Sequence, residues 1–178
     1  MRHLIRRLIE EYIPFPGEEE AVASFHSVLG TPRPVERDQF VPGHFTASGF
    51  VVSPDLSSVL LIHHRRLDRW MQPGGHIDAA DETPWAAARR EIGEETGMFD
   101  LEDLSTGLFG LGHHPIPARH DEPPHRHFDL KFAFLAVGHH LAPSSEVGDV
   151  TWGRFEEMEM FGVDAETMHE VQKLRLLI

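Results

Sequence analysis

Cysteine is absent from this sequence of 178 residues, and tyrosine occurs only once, as Tyr12. Without cysteine the chain has no disulfide bond, no thiolate metal site and no cysteine nucleophile, a composition typical of a cytoplasmic protein. No apolar run approaches the roughly 20 residues needed to span a bilayer, and the first residues lack a signal-peptide pattern. We therefore expect a cytoplasmic protein without a membrane partner.

Positive charge is also scarce. The chain has 16 Lys and Arg against 29 Asp and Glu, a formal net charge of −13. This balance argues against general nucleic-acid binding through the phosphate backbone. A phosphate-bearing substrate would have to be met locally, by a metal ion and a few Arg, Lys or His side chains. Histidine, by contrast, is abundant, with 14 residues.

The length and the ordinary composition suit a single domain of residues 1–178. Apolar residues recur at helical spacing in residues 2–12 and 18–29, and proline or glycine ends each run. Residues 1–43 are too few to bury a core of their own. We interpret them as an N-terminal helical accessory segment rather than as a separate module.

Short runs rich in β-branched and apolar residues predict the strands of a sheet. They are residues 45–53, 59–62, 106–111, 128–137 and a strand near 150–152, followed by a closing amphipathic helix at 165–177. Residues 113–117 contain two prolines and are predicted to break the strand before them. We interpret Trp70 as a core residue rather than as a platform on which a base stacks.

The most informative part of the sequence is residues 73–98, which are predicted to form a loop, then a helix, then a helix terminator. The glycine pair Gly74–Gly75 allows a tight backbone path and the close approach of a ligand. Thr83 is a good N-cap, and Gly97 is a natural left-handed terminator. Together with the proline at the first helical position, these signals predict a helix over residues 84–96.

Three carboxylates share one side of that helix. At about 100° per residue, Glu91, Glu94 and Glu95 occupy an arc roughly 100° wide beside the apolar stripe. Like charges at this spacing repel, whereas a hard divalent cation would reverse the balance. Arg90 could orient a carboxylate through a bidentate contact. Alone, such a cluster is usually a solvated face, but here it follows a glycine pair and a distant acid, Glu82.

The whole assembly resembles the signature of the Nudix (MutT-type) hydrolase family. That signature is Gly, five residues, Glu, seven residues, then Arg-Glu-hydrophobic-x-Glu-Glu-x-Gly-hydrophobic. The match is complete from Glu82 to Met98, but six residues separate Gly75 from Glu82, and His76 occupies the strict glycine position. A one-residue loop insertion explains this without moving the helix. The resemblance covers residues from about 44 to 160, but only residues 73–98 match a specific sequence motif.

The resemblance implies an α+β fold, an α/β/α sandwich around a mixed β-sheet, with extra N-terminal helices. It implies a metal-dependent hydrolase that cleaves the diphosphate bond of a nucleoside diphosphate linked to another moiety, as in a nucleotide, a nucleotide sugar or an ADP-ribose-like substrate. The expected cofactor is Mg²⁺ or Mn²⁺ and the expected partner is that small molecule, with a homodimer as a further possibility. The alternative is a catalytically inactive, nucleotide-sensing module, which would usually show a damaged acid set.

The resemblance also implies roles for single residues. The groups expected to hold the metal are Glu91, Glu95, Glu94 and the Gly75 carbonyl. The residues expected to take part in catalysis are Glu94 as first choice of the base that activates water, Glu146 as second choice, Glu91 and Arg90. The residues expected to support the loop and the acids are Gly74, Glu82 and Gly97, together with Arg90.

Polar side chains beside the motif are candidates for binding the substrate. Arg65 and Arg66 lie just upstream of the acidic helix and suit the outer oxygens of a diphosphate, or else they form a solvated hairpin tip. Gln72 and His76 flank the glycine pair and complete this group.

A second group of candidates comes from the histidine-rich stretch 113–127. Alternation along the following strand would put His127 and Asp129 on one face. Five histidines near this strand invite a zinc hypothesis, but their spacings match no closed structural zinc pattern. We therefore favour a substrate-pocket role for His127 and Asp129.

Overall fold

Strand β1 (His44–Val52) lies at the centre of a mixed sheet. In this computed structural model, which describes residues 1–118 and 122–178, every residue of β1 is buried. The whole of β1 pairs in parallel with β7 (His125–Ala136). Since a strand buried on both faces and paired on both edges is held firmly in register, β1 is a rigid base for the residues that project from it.

The other edge of β1 pairs with two different strands. The first half pairs antiparallel with β4 (Gly74–His76), and Val52 pairs with β2 (Ser58–His64). The glycine pair therefore lies in a short strand rather than in a free loop. The remaining pairings are antiparallel: β3 (Arg69–Met71) and β8 (Asp149–Arg154) with β2, and β5 (Leu101–Asp103) and β6 (Gly110–Ile116) with β7.

Helices cover both faces of this sheet, which confirms the predicted α+β fold with a mixed sheet. They are α1 (Arg2–Glu11), α2 (Glu19–Leu29), α3 (Pro84–Thr96), a 3₁₀ helix (Phe155–Phe161) and α4 (Ala165–Leu174). Across the described residues, no helix combines the length and the apolar character that crossing a membrane requires.

The two N-terminal helices pack into the main core. Ile5 of α1 and Phe25 of α2 are fully buried in the cluster that contains Phe45 of β1 and Phe128 of β7. The Phe25 ring meets Phe128 edge to face, with 5.4 Å between ring centroids. The single domain of residues 1–178 stays a prediction, and this shared core agrees with it.

Polar contacts link the accessory segment to the last helix. Lys173 Nζ of α4 donates to Tyr12 Oη at 2.8 Å and to Glu18 Oε1 at 2.9 Å. Tyr12 also donates a hydrogen bond to Glu18, which is itself buried. A charged pair of this kind is costly to separate once it is out of water.

Some strand predictions were wrong. Strand β6 begins at Gly110 rather than at residue 106, and it continues through Pro115 to Ile116 instead of breaking at 113. Proline is tolerated there because β6 lies at an edge and pairs only with β7 among the described residues. The short strands β3, β4 and β5 were not predicted, and α4 ends at Leu174 rather than at 177. His120, one of the five histidines considered above, lies outside the described residues.

Candidate active site

The capping signals place α3 where the sequence predicts it. Thr83 Oγ1 accepts a hydrogen bond from the Ala86 amide at 3.0 Å, and Gly97 adopts the left-handed conformation with φ of 73°. The Gly97 amide donates to the Gly93 carbonyl at 2.9 Å. Both ends of the helix are therefore fixed, and the direction of its acidic side is fixed with them.

The glycine pair allows β4 to approach this helix closely. The Gly74 amide donates to Glu95 Oε2 at 2.9 Å. A Cβ added to Gly75 would lie 2.7 Å from the Glu91 carboxylate carbon, so a side chain there would displace that carboxylate. A Cβ added to Gly74, whose φ is +156°, would lie 2.4 Å from the Ser48 Cβ of β1. Gly75 is thus explained by the acid of α3 and Gly74 by its pairing with β1.

Glu91 and Glu95 are buried next to each other without enough positive charge nearby to balance their two negative charges. Burial raises the pKa of Glu95 to about 8, and the neighbouring charges of Glu91, Glu146 and Glu94 add to that rise. Burial also raises the pKa of Glu91, although Arg90 opposes the effect. Buried carboxylates with raised pKa values are common at functional sites.

Arg90 is the cation at the centre of the acid cluster. Its Nε and Nη2 donate to the two carboxylate oxygens of Asp81 at 3.0 and 2.9 Å. Its Nη1 donates to Glu91 at 3.0 Å and to Glu94 at 2.8 Å, and Nη2 also donates to the His76 carbonyl at 2.9 Å. One guanidinium therefore ties the loop, β4 and two acids of α3 together.

The acid that supports Arg90 is Asp81, whereas Glu82, which is predicted to support the loop and the acids, forms no ion pair with Arg90 among the described residues. The Asp81 side chain is 6% exposed, whereas Glu82 is exposed to solvent. Five residues separate Gly75 from Asp81, which is the spacing of the family signature when it is counted from the glycine. Because of the one-residue insertion, the acid that contacts Arg90 is Asp81, the residue before Glu82.

The loop after β7 brings Glu146 to the same region. The Ala142 and Ser144 amides donate to the carbonyls of Thr96 and Glu95 at 2.7 and 3.2 Å, so the loop hangs from the end of α3. Glu146 itself is exposed, lines the same cavity as the acids of α3 and contributes to the raised pKa of Glu95.

A cavity of about 460 Å³ lies over these acids. Of the predicted substrate-binding residues, Arg66, Gln72, His76, His127 and Asp129 line it. Arg65 is not among the residues that line the cavity, and its Nε donates to the Val147 carbonyl at 2.6 Å, so a substrate-binding role for Arg65 stays a prediction. Trp70 packs against Phe161 with 5.5 Å between ring centroids, in agreement with a core role.

Strand register explains the polar wall of this cavity. His44, Thr46 and Ser48 alternate with apolar residues along β1 and so project to one face. Residues paired across strands project to the same face, and Thr46 is paired with both His76 of β4 and Asp129 of β7.

Asp129 forms the floor of the cavity. Its two carboxylate oxygens accept hydrogen bonds from Thr46 Oγ1 at 3.0 Å and from Ser48 Oγ at 2.5 Å, and the residue is 4% exposed. Beyond it, Lys131 is fully buried and donates to Glu166 at 2.6 Å and to Glu170 at 3.0 Å. These contacts attach helix α4 to strand β7.

Four histidine rings meet at the other end of the same wall. The ring centroids of His44, His76, His125 and His127 lie 4.8 to 5.2 Å from their nearest neighbours in the group. Burial lowers the pKa of His127 to about 2 and that of His76 to about 4, with the neighbouring rings and Arg37 adding to the effect. The His127 and His76 rings, with these lowered pKa values, are therefore neutral at physiological pH.

Several residues of the site escaped the sequence analysis. Asp81, Thr46, Ser48 and His44 were not named, although polar residues alternating with Phe45 and Ala47 are a visible period-two signal. The pairing of β1 with β7 could not be deduced, because the two strands are far apart in the chain.

The oxygen donors of α3 fit a hard divalent cation. Glu91, Glu94 and Glu95 present carboxylates on one side of the helix, and burial, with the charges of the neighbouring acids adding to it, raises the pKa of Glu95. Mg²⁺ and Mn²⁺ prefer such oxygen ligands.

Comparison with known proteins gives one family match. The model of the NUDIX domain family matches residues 43–173. A search of curated proteins finds no match.

Several solved structures share the fold. A hydrolase of the NUDIX family from Clostridium perfringens is 24% identical with a TM-score of 0.57, over 76% of this chain and 98% of that one. The NUDIX domain of Shewanella oneidensis NrtR, complexed with ADP ribose, is 18% identical with a TM-score of 0.56, over 74% and 86%. The E. coli dihydroneopterin triphosphate pyrophosphohydrolase is 16% identical with a TM-score of 0.58, over 72% and 92%.

The family match covers most of the chain, from the residue before β1 almost to the end of α4. It contains the glycine pair, the acids of α3 and the cavity, and it leaves only the N-terminal accessory segment and the last few residues outside. The chain therefore belongs to the NUDIX domain family.

Proposed function

We propose that this protein is a metal-dependent pyrophosphohydrolase that cleaves the diphosphate bond of a small nucleoside diphosphate linked to another moiety. The observation that carries the proposal is the Glu91–Glu95 pair, buried against Gly74 and Gly75 at the wall of the cavity. With a pKa of about 8, Glu95 is a carboxylate held where charge is unfavourable. A purely structural helix has no use for such an arrangement.

The residues that would hold Mg²⁺ or Mn²⁺ are Glu91, Glu95, Glu94 and the Gly75 carbonyl. When bound, the cation neutralises phosphate charge and stabilises the charge that develops on the transferring oxygens. The same cation would remove the electrostatic cost of ionising Glu95.

Arg90 keeps the acids ready for this role. Its contacts with Glu91 and Glu94 hold both carboxylates in place, while its fork on Asp81 anchors the guanidinium. Preorganised groups cost little reorganisation during a reaction. We therefore assign Arg90 the role of a positioning residue.

Two carboxylates are candidates for the base that takes a proton from the attacking water. Glu94 is 56% exposed and oriented by Arg90. Glu146 is exposed on the loop that hangs from α3, and no ion pair within the described residues engages it. Either could reach a water in the cavity, and a general base contributes roughly 10²- to 10⁴-fold to the rate.

The rest of the cavity suits a small anionic ligand better than a polymer. The chain carries a net charge of −13, and the basic groups in the cavity wall are local, as with Arg66 and Arg37. Local cations can meet the oxygens of one diphosphate, whereas a nucleic-acid backbone needs an extended basic surface. ADP ribose is the ligand of the Shewanella oneidensis relative, so it belongs in the first substrate panel.

The test is turnover on a substrate panel with Mg²⁺ or Mn²⁺ added. The panel holds ADP-ribose, NADH, diadenosine polyphosphates, nucleoside triphosphates and nucleotide sugars. We expect metal-dependent cleavage of one member and a loss of at least roughly 10²-fold in Glu95→Gln. The matched control is Glu102→Gln, which removes an exposed carboxylate on β5 and should leave turnover unchanged.

The base is identified by comparing Glu94→Gln with Glu146→Gln on the substrate so found. The variant that loses kcat without a rise in KM lacks the base. Cleavage that persists in Glu95→Gln would refute the metal-site assignment. Nucleotide binding without any turnover would instead support the inactive, nucleotide-sensing module.

A further inference from the structure

We propose that His44, His76, His125 and His127 form a second metal site in the same cavity, built for a borderline transition cation such as Zn²⁺ rather than for Mg²⁺. The site is distinct from the carboxylates of α3, and its existence does not depend on hydrolase activity.

The donor atoms are close enough to share one ion. Single ring nitrogens of His44, His76 and His127 all lie within 4.8 Å of one another. The Nε2 atoms of His125 and His127 are 3.3 Å apart. Two ligands of a tetrahedral zinc ion, each at about 2.0–2.1 Å from the metal, lie about 3.4 Å apart. The His125–His127 pair already has this spacing.

Backbone carbonyls orient two of the rings as metal ligands are usually oriented. His44 Nδ1 lies 3.2 Å from the Gln39 carbonyl and His125 Nδ1 lies 3.0 Å from the Pro123 carbonyl. A carbonyl can only accept, so both Nδ1 atoms carry the proton and both Nε2 atoms carry a lone pair. Zinc-bound histidines are typically held in this way by a hydrogen bond from the other ring nitrogen.

The Nε2 lone pair of His44 is an unsatisfied hydrogen-bond acceptor. Its Nε2 is fully buried, and it has no hydrogen-bond partner among the described residues. An unsatisfied buried polar atom in a native fold calls for an explanation. A cation between the rings would satisfy the Nε2 atom of His44.

The ligand chemistry separates this site from the acidic one. Imidazole nitrogens suit Zn²⁺, Ni²⁺ and Cu²⁺, whereas Mg²⁺ takes oxygen ligands. The two sites are also separated in space. Along β1, His44 (beside His127) and Ser48 (beside Gly74) are four residues apart, which corresponds to roughly 13 Å along a strand.

A metal at this point would join three strands of the sheet. His44 belongs to β1, His76 to β4, and His125 and His127 to β7. Strand β4 is only three residues long and carries the glycine pair that contacts Glu91 and Glu95. The ion would therefore anchor the strand that positions the acids, without touching them.

The experiment is a metal titration of the full chain after removal of metal with a chelator. Zn²⁺ is added in the presence of excess Mg²⁺, which occupies oxygen sites, and bound zinc is counted by elemental analysis. Co²⁺ in place of Zn²⁺ reports geometry through its visible absorption bands. The variants are His76→Ala and His127→Ala, with His140→Ala as the matched control because His140 is exposed.

We expect one zinc ion per chain, tetrahedral cobalt bands, and at least roughly tenfold weaker binding in both ligand variants. His140→Ala and Glu95→Gln should bind zinc as the unmodified protein does. Circular dichroism identifies a variant that fails to fold, in which case the other ligand variant and the stoichiometry of the unmodified chain decide. Substoichiometric zinc, unweakened binding in folded His76→Ala or His127→Ala, or loss of zinc in Glu95→Gln would each overturn the proposal.

Discussion

Replacing Glu95 by glutamine should stabilise the metal-free protein while it removes activity. The folded state raises the pKa of Glu95 from 4.5 to about 8, chiefly through burial. Between these two pH values the folded chain keeps a proton that the unfolded chain has released. Unfolding then releases a proton, so stability from this group is present at low pH and is lost as pH rises through about 8.

The size of the effect follows from the shift. One pH unit of displacement corresponds to about 1.4 kcal/mol, so ionised Glu95 lowers the free energy of unfolding by about 3 kcal/mol between pH 5 and pH 8. For a chain of this length that is a fall of about 6–12 °C in melting temperature. Glutamine has nearly the same shape and no charge, so this pH-dependent loss should disappear in Glu95→Gln.

The assay is urea denaturation of chelator-treated protein at several values between about pH 5 and pH 8. The unmodified protein should lose stability relative to Glu95→Gln as pH rises, and Mg²⁺ should restore stability to the unmodified protein only. Glu102→Gln, which removes an exposed carboxylate, should follow the unmodified protein. Parallel curves for the unmodified protein and Glu95→Gln would refute the reasoning.

Two further substitutions test the geometry around the acids. Gly75→Ala should lower kcat/KM by roughly 10²-fold with the fold intact, because the new methyl group displaces the flexible Glu91 carboxylate rather than backbone. The control is Gly107→Ala, whose added methyl group would meet no atom within 4 Å. Asp81→Asn should cost about 2 kcal/mol in urea denaturation, because it removes the charged partner of Arg90. Glu82→Gln should be neutral, and equal losses in the two acid variants would contradict the assignment of the Arg90 contact to Asp81.

The helix that carries the acids was predictable because its signals are local. Thr83, Pro84 and Gly97 mark the ends of α3 through contacts within a few residues, and the structure has the same bounds. The spacing of the acids then determines which side of the helix they share. Nothing distant in the chain is needed for either conclusion.

The loop in front of that helix shows the limit of pattern matching. The signature counted from the helix selects Glu82, and the signature counted from the glycine selects Asp81. Only the path of the backbone decides between them, because an insertion has no marker of its own in a single sequence. The structure gives the contact to Asp81.

Features that depend on pairing between distant strands could not be predicted. Gly74 and Gly75 have poor strand propensity, and β4 exists because β1 pairs with it. The histidine cluster likewise depends on the register that sets His44 beside His127. In the sequence His44 and His127 are far apart, and no local pattern indicates that they are neighbours in the fold.

The hydrogen bonds of Lys173 with Tyr12 and Glu18 connect the family domain to residues that lie outside the family match. The part of the chain that must fold together is therefore longer than the part that the family shares. A fragment cut to the family match, residues 43–173, would keep Lys173 and lose the two oxygen atoms to which it donates hydrogen bonds, those of Tyr12 and Glu18. It would also expose the aromatic surface that Phe25 covers. Expression trials and domain swaps with relatives should therefore retain the first forty residues, even though the family signature begins after them.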